Sequence, residues 1–102
     1  MEALAERFQR AAVESIAECR RLGYNPTRFA QMVAEHGAVE AAWRLIVCPD
    51  PAAGFARLYD LDALHLSVEA MIVQPEFSPL FSPDVRRAAR HRLSQVGFAV
   101  VS

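Results

Sequence analysis

Lysine is absent from this chain, and all eleven basic residues are arginines. Twelve acidic residues offset them, leaving a formal charge of −1 and an isoelectric point near 6.3. That balance argues against a general electrostatic pull toward nucleic acid or an anionic membrane. The arginine bias itself reads as the coding habit of a GC-rich bacterial genome. Cysteine is scarce: Cys19 and Cys48 are too few for a disulfide framework. Apolar runs such as Leu45 to Cys48 fall far short of the roughly 20 residues that a membrane-spanning helix needs. There is no glycine-rich phosphate loop, no Gly-x-Ser-x-Gly elbow and no Cys-x-x-Cys or His-x-x-x-His spacing. The chain opens on the charged amphipathic run Glu2 to Arg10, not on a basic cap before an apolar stretch. A reducing cytoplasm is the expected setting.

What is present is apolar content with firm punctuation. Hydrophobic residues make up 53% of the 102 positions and charged ones 23%, a composition that folds around one core. Asn25-Pro26, Gly37, Pro49-Asp50-Pro51, Pro75, Pro79 and Ser82-Pro83 divide the chain into short helical lengths. The expected fold is all-α: a compact single-domain bundle of five to six short helices over residues 1–102. A long N-terminal helix spans 1–22 and a compact helical module spans 24–98.

The first helix carries Leu4, Phe8, Ala11, Ala12, Ser15, Cys19 and Leu22 on one side at 3.6 spacing, and Gly23 ends it. Asn25 is the expected N-cap of a second helix that runs to about His36 with Phe29, Met32 and Val33 inward. A third, from Ala38 to Val47, is apolar almost all round except for Glu40 and Arg44. It is expected mid-fold, with Trp43 at or near the centre. A fourth, about Pro51 to Tyr59, presents Phe55, Leu58 and Tyr59. Leu61 to Leu66 alternates like a strand but has no partner strand, so an irregular connection is expected. Ser67 caps a fifth helix carrying Val68, Met71 and Ile72. A tight turn, one turn of 3₁₀ helix, follows over 75–81 with Phe77, Leu80 and Phe81 inward. Ser82-Pro83-Asp84 starts a last helix whose core line is Val85, Ala89, Leu93 and Val96.

Charge is unevenly spread. Residues 50–76 set Asp50, Asp60, Asp62, Glu69 and Glu76 against Arg57, a net of −4. Residues 82–102 set Arg86, Arg87, Arg90 and Arg92 against Asp84, a net of +3. These halves can pair within one fold or between two copies. Arg86 and Arg90 stack on one edge of the last helix, with Arg87 and His91 beside them, opposite the core line. These four residues are the candidate partner-binding set, for an acidic protein surface or for phosphates. They are also what the solvated face of an amphipathic helix looks like.

The other chemically able residues lack a constellation. Cys48 has no assignable base and reads as a small buried hydrophobe. His36, His65 and His91 are too far apart in sequence for a metal set, and Asp60 with Asp62 reads as a solvated connection. No catalytic, metal or cofactor site is expected, and no enzymatic activity.

Gly23-Tyr24-Asn25-Pro26, Phe29, Met32, Gly54-Phe55, Leu58, Leu66-Ser67-Val68-Glu69-Ala70, Leu80-Phe81 and Arg92-Leu93 form an ordered pattern over about residues 20–98. It resembles a family of short all-helical bacterial proteins of unknown function. The resemblance implies a recurring helical module and no activity. Most of these residues are fold-specifying types. Glu69 is the exception, a charge inside an apolar helix start that calls for an arginine partner, a capping role or a binding surface. The expected function is therefore a protein-protein interaction or adaptor module, with self-association as a homodimer, and nucleic-acid binding through Arg86, Arg87, Arg90 and Arg92 is the alternative.

Overall fold

Helix boundaries follow the punctuation. The computed structural model describes residues 3–47 and 53–97, and these contain six α-helices, two 3₁₀ helices and no strand. The α-helices are α1 Leu4–Arg21, α2 Thr27–His36, α3 Ala38–Val47, α4 Ala53–Asp60, α5 Val68–Ile72 and α6 Pro83–Gln95. The 3₁₀ helices are Leu64–Leu66 and Pro75–Leu80. All-α is the class of this chain. Cys48, the Pro49-Asp50-Pro51 turn, the side chain of Phe55 and the Phe98 to Val101 tail lie outside the described residues.

One apolar cluster joins most of these elements. Phe8, Ala12 and Ile16 of α1 meet Phe29 and Val33 of α2, the Ala38, Ala41, Ala42 and Leu45 side of α3, and Val85, Ala89 and Leu93 of α6. Phe8 lies edge-to-face against Phe77 at 5.0 Å and Phe81 at 5.2 Å, the aromatic geometry that the ring quadrupole favours. A second, smaller cluster holds Cys19, Leu58, Ala63 and Leu64, with Tyr24 packed against it.

That smaller cluster is built by two helix endings of the same kind. After α1, Gly23 turns at positive φ, its N–H reaches the Arg20 carbonyl and the Tyr24 N–H reaches the Cys19 carbonyl. After α4, Asp62 turns at φ 55°, its N–H reaches Tyr59 and the Ala63 N–H reaches Leu58. Both are Schellman closures, in which the residue after the turn packs on the helix it has just left. Tyr24 and Ala63 are thereby folded back onto Cys19 and Leu58.

Local caps behave as expected at two sites. The Ser67 hydroxyl accepts from the Ala70 N–H and the Ser82 hydroxyl from the Val85 N–H. The N-terminus of α3 is closed differently, because Gln9 reaches across from α1 to accept from the Ala38 N–H at 2.7 Å.

Three expectations are corrected. Trp43 is not central: it is 47% exposed, because α3 buries its alanine side and turns the indole outward. Asn25 does not cap α2. Its side chain accepts from Arg20 Nε at 3.2 Å, and Pro26 stands at the cap position with no side-chain bond. Leu22 is exposed, since the chain leaves the helical path there and the core line of α1 stops at Cys19.

Candidate functional site

On α6 the core line is Val85, Ala89 and Leu93, so the arginines fall on the flank and back of the helix. Arg87 and His91 are exposed, and Arg86 and Arg90 are half-buried. Arg87 is held by Asp84 at 3.3 Å and the His91 ring nitrogen contacts Gln95 at 3.2 Å. The Nε atoms of Arg86 and Arg90 are covered and meet no acceptor among the described residues. The four candidate residues thus divide into an exposed pair occupied by its own helix and a half-buried pair with unsatisfied donors.

Arg92 does not belong to that face. It turns inward, donating to the Leu45 carbonyl at 3.3 Å, the Ile46 carbonyl at 3.0 Å and Glu69 Oε2 at 3.0 Å. Leu45 and Ile46 belong to the last turn of α3, whose carbonyls have no partner within the helix, so a guanidinium there meets both bonding need and dipole. Glu69 lies in the first turn of α5, where a carboxylate is favoured by the opposite dipole end. One arginine therefore ties three helices together. Part of the opposite charge of the two chain segments is met by this internal pair, and Glu76 pairs with Arg7 of α1.

The outer side of α3 is a second candidate surface, one that the charge pattern does not mark. Trp43 and Val47 are four residues apart, hence on one face, and Val47 is 51% exposed. Glu40 and Arg44 flank them and bond each other at 2.8 Å. Ala38, Ala41, Ala42 and Leu45 make a stripe of mostly small residues suited to close helix approach, and Trp43 is not on it.

Asp60 and Asp62 line an open surface depression with Tyr59, His65 and Val96. No group of three or more potential metal ligands occurs among the described residues. No described helix is long and apolar enough to cross a membrane. No protein-family model matches the chain, and no curated protein or solved structure is significantly similar to it.

Proposed function

We propose that this chain is a small protein-interaction module, a single bundle of short helices that associates with a second copy of itself through the outer face of α3. The carrying observation is Trp43, a large aromatic 47% exposed on a helix whose other side is fully packed. Aromatic residues of this kind are the usual anchors of interfaces, and a tryptophan left half in water forgoes part of its burial gain.

The face is also self-complementary. Glu40 and Arg44 have opposite signs and lie on either side of Ala42-Trp43 along the helix. An antiparallel two-fold pairing centred there sets Glu40 of each copy against Arg44 of the other and brings the two Trp43 rings together. Such a patch needs no second surface, as an isologous dimer requires.

Light scattering on the wild type and on Trp43→Glu tests this. The wild type is expected at dimer mass and the variant at monomer mass, with unchanged circular dichroism. Two monomers would refute the reading.

The Arg86 and Arg90 edge supports a second reading, binding to an acidic partner or to nucleic acid with Arg87 and His91. Its support is the pair of Nε donors without a described acceptor. Arg92 contributes nothing to it, being spent inside the fold. Nucleic-acid binding would weaken steeply with salt, whereas the α3 contact should tolerate salt.

A further inference from the structure

Arg86 and Arg90 stand one turn apart on one edge of α6, both half-buried. Positions four apart on a helix bring the side-chain bases within about 6 Å, so the two guanidiniums share one small volume. Their Nε atoms are covered from solvent and meet no acceptor, and no ion pair among the described residues reaches either side chain. The other two arginines of the helix are engaged, Arg87 by Asp84 and Arg92 by Glu69.

The result is a local excess of positive charge that water serves poorly. An N–H out of water and short of an acceptor is costly, and it ordinarily points to a bound water, an ion or a ligand. Like charges this close also repel, and one anion between them relieves both strains. Asp84 is the only acid of α6, and it already bonds Arg87. No carboxylate of the same helix is left to bridge the pair.

The charge and shape of the group that fits follow from this. Two full positive charges call for a dianion, and two planar forks of N–H donors call for more acceptors than one carboxylate presents. A phosphate monoester has three terminal oxygens and a charge of about −1.5 to −2 at neutral pH. A nucleic-acid backbone carries one charge per phosphate, and this chain, at −1 with no lysine, has little with which to follow one. Neither arginine lines a described cavity, so the phosphate has to be presented from outside on a larger molecule.

We propose that Arg86 and Arg90 form a recognition site for a phosphorylated serine or threonine side chain of a partner protein, both guanidiniums donating to the phosphate oxygens. The proposal rests on the reading of the α6 edge as a binding surface and narrows it. Arg87 and His91, held by Asp84 and Gln95, fall outside the site.

The test titrates a short phosphoserine peptide of otherwise neutral sequence into the full chain. It is followed by ¹H–¹⁵N spectra, in which arginine Nε–H groups give their own signals. Saturable one-to-one binding is expected, with the Arg86 and Arg90 Nε–H signals and the backbone of 86–90 moving together. The unphosphorylated peptide should not bind measurably. Its sulfoserine counterpart, with three terminal oxygens but one charge, should bind about tenfold more weakly. Arg86→Gln and Arg90→Gln should each weaken binding at least about tenfold with an unchanged melting temperature. Arg86→Lys keeps the charge without the fork and should weaken it as well. Arg57→Gln removes an exposed charge from α4 and should leave the affinity within about twofold. Failure of the phosphopeptide to bind, shifts centred elsewhere, or undiminished binding by the Arg86 and Arg90 variants would each overturn the assignment. If a glutamate-rich peptide or a 5′-phosphorylated oligonucleotide binds this edge and the phosphopeptide does not, the phosphoserine assignment falls while the edge remains a binding surface. If none of the three binds, both readings fall.

Discussion

Glu69 and Arg92 form the most deeply buried ion pair among the described residues, with the glutamate almost wholly out of water and the arginine partly so. Removing one partner strands the other, which typically costs 3–5 kcal/mol; the partial exposure of Arg92 argues for about 3 kcal/mol. Arg92→Met is expected to lose that much in urea denaturation. Replacing both residues with apolar side chains of similar volume should recover a large part of it. The pair was only half legible in the sequence. A lone charge in an apolar helix start signals that it needs a partner, but the partner lies 23 residues away and is chosen by how α5 and α6 pack.

Cys19 gives a second test at this scale. Burial pushes its thiol above the ordinary value of 9.0, with a Ser15 hydrogen bond opposing, and burial likewise raises Tyr24 above 10.0. In each case the folded state holds its proton to higher pH than the unfolded chain. The resulting stability is full below the unfolded pKa and is lost as pH rises through the folded one. Denaturation midpoints should therefore fall between about pH 8 and about pH 10.5, and fall less in Cys19→Ala.

At the scale of elements, what was legible was whatever depends on neighbours three or four residues apart. The caps at Ser67 and Ser82 are of that kind, as is the glycine ending of α1. Ser82→Ala should cost about 1 kcal/mol in a thermal or urea melt. Closures made by distant residues were not legible. Gln9 capping α3 depends on the approach of α1 and α3, and Asn25 is drawn away from its expected cap by Arg20. The α4 ending was hidden because an aspartate occupies the left-handed position that usually signals itself with glycine. Relieving that conformation by Asp62→Gly should stabilise the fold by about 0.5–1 kcal/mol, a rise of a few degrees in melting temperature. The orientation of α3 belongs to the same class: an almost uniformly apolar helix has no hydrophobic face to read, and its alanine stripe decides which side is packed.

For the whole molecule, the all-α class follows from turn chemistry that every punctuation mark repeats, whereas the site depends on what the packed helices leave uncovered. The Arg86, Arg87, Arg90 and His91 face was visible because it is periodic within one helix. The Trp43 face was not, since which side of α3 is packed is decided by elements that converge only in the folded chain. An interface anchored by a central tryptophan usually loses 2 kcal/mol or more on truncation, so Trp43→Ala should weaken self-association at least about thirtyfold. Sedimentation equilibrium of the two proteins measures that difference.

Trp43 is the only tryptophan in the chain, which makes it a reporter of its own burial. The most direct test of the α3 interface is its fluorescence emission over a dilution series in moderate salt. Burial against a second copy predicts a blue-shifted emission at high concentration that moves to the red with a sigmoidal midpoint on dilution, while far-ultraviolet circular dichroism stays constant. A red, solvent-exposed emission at every concentration would contradict it.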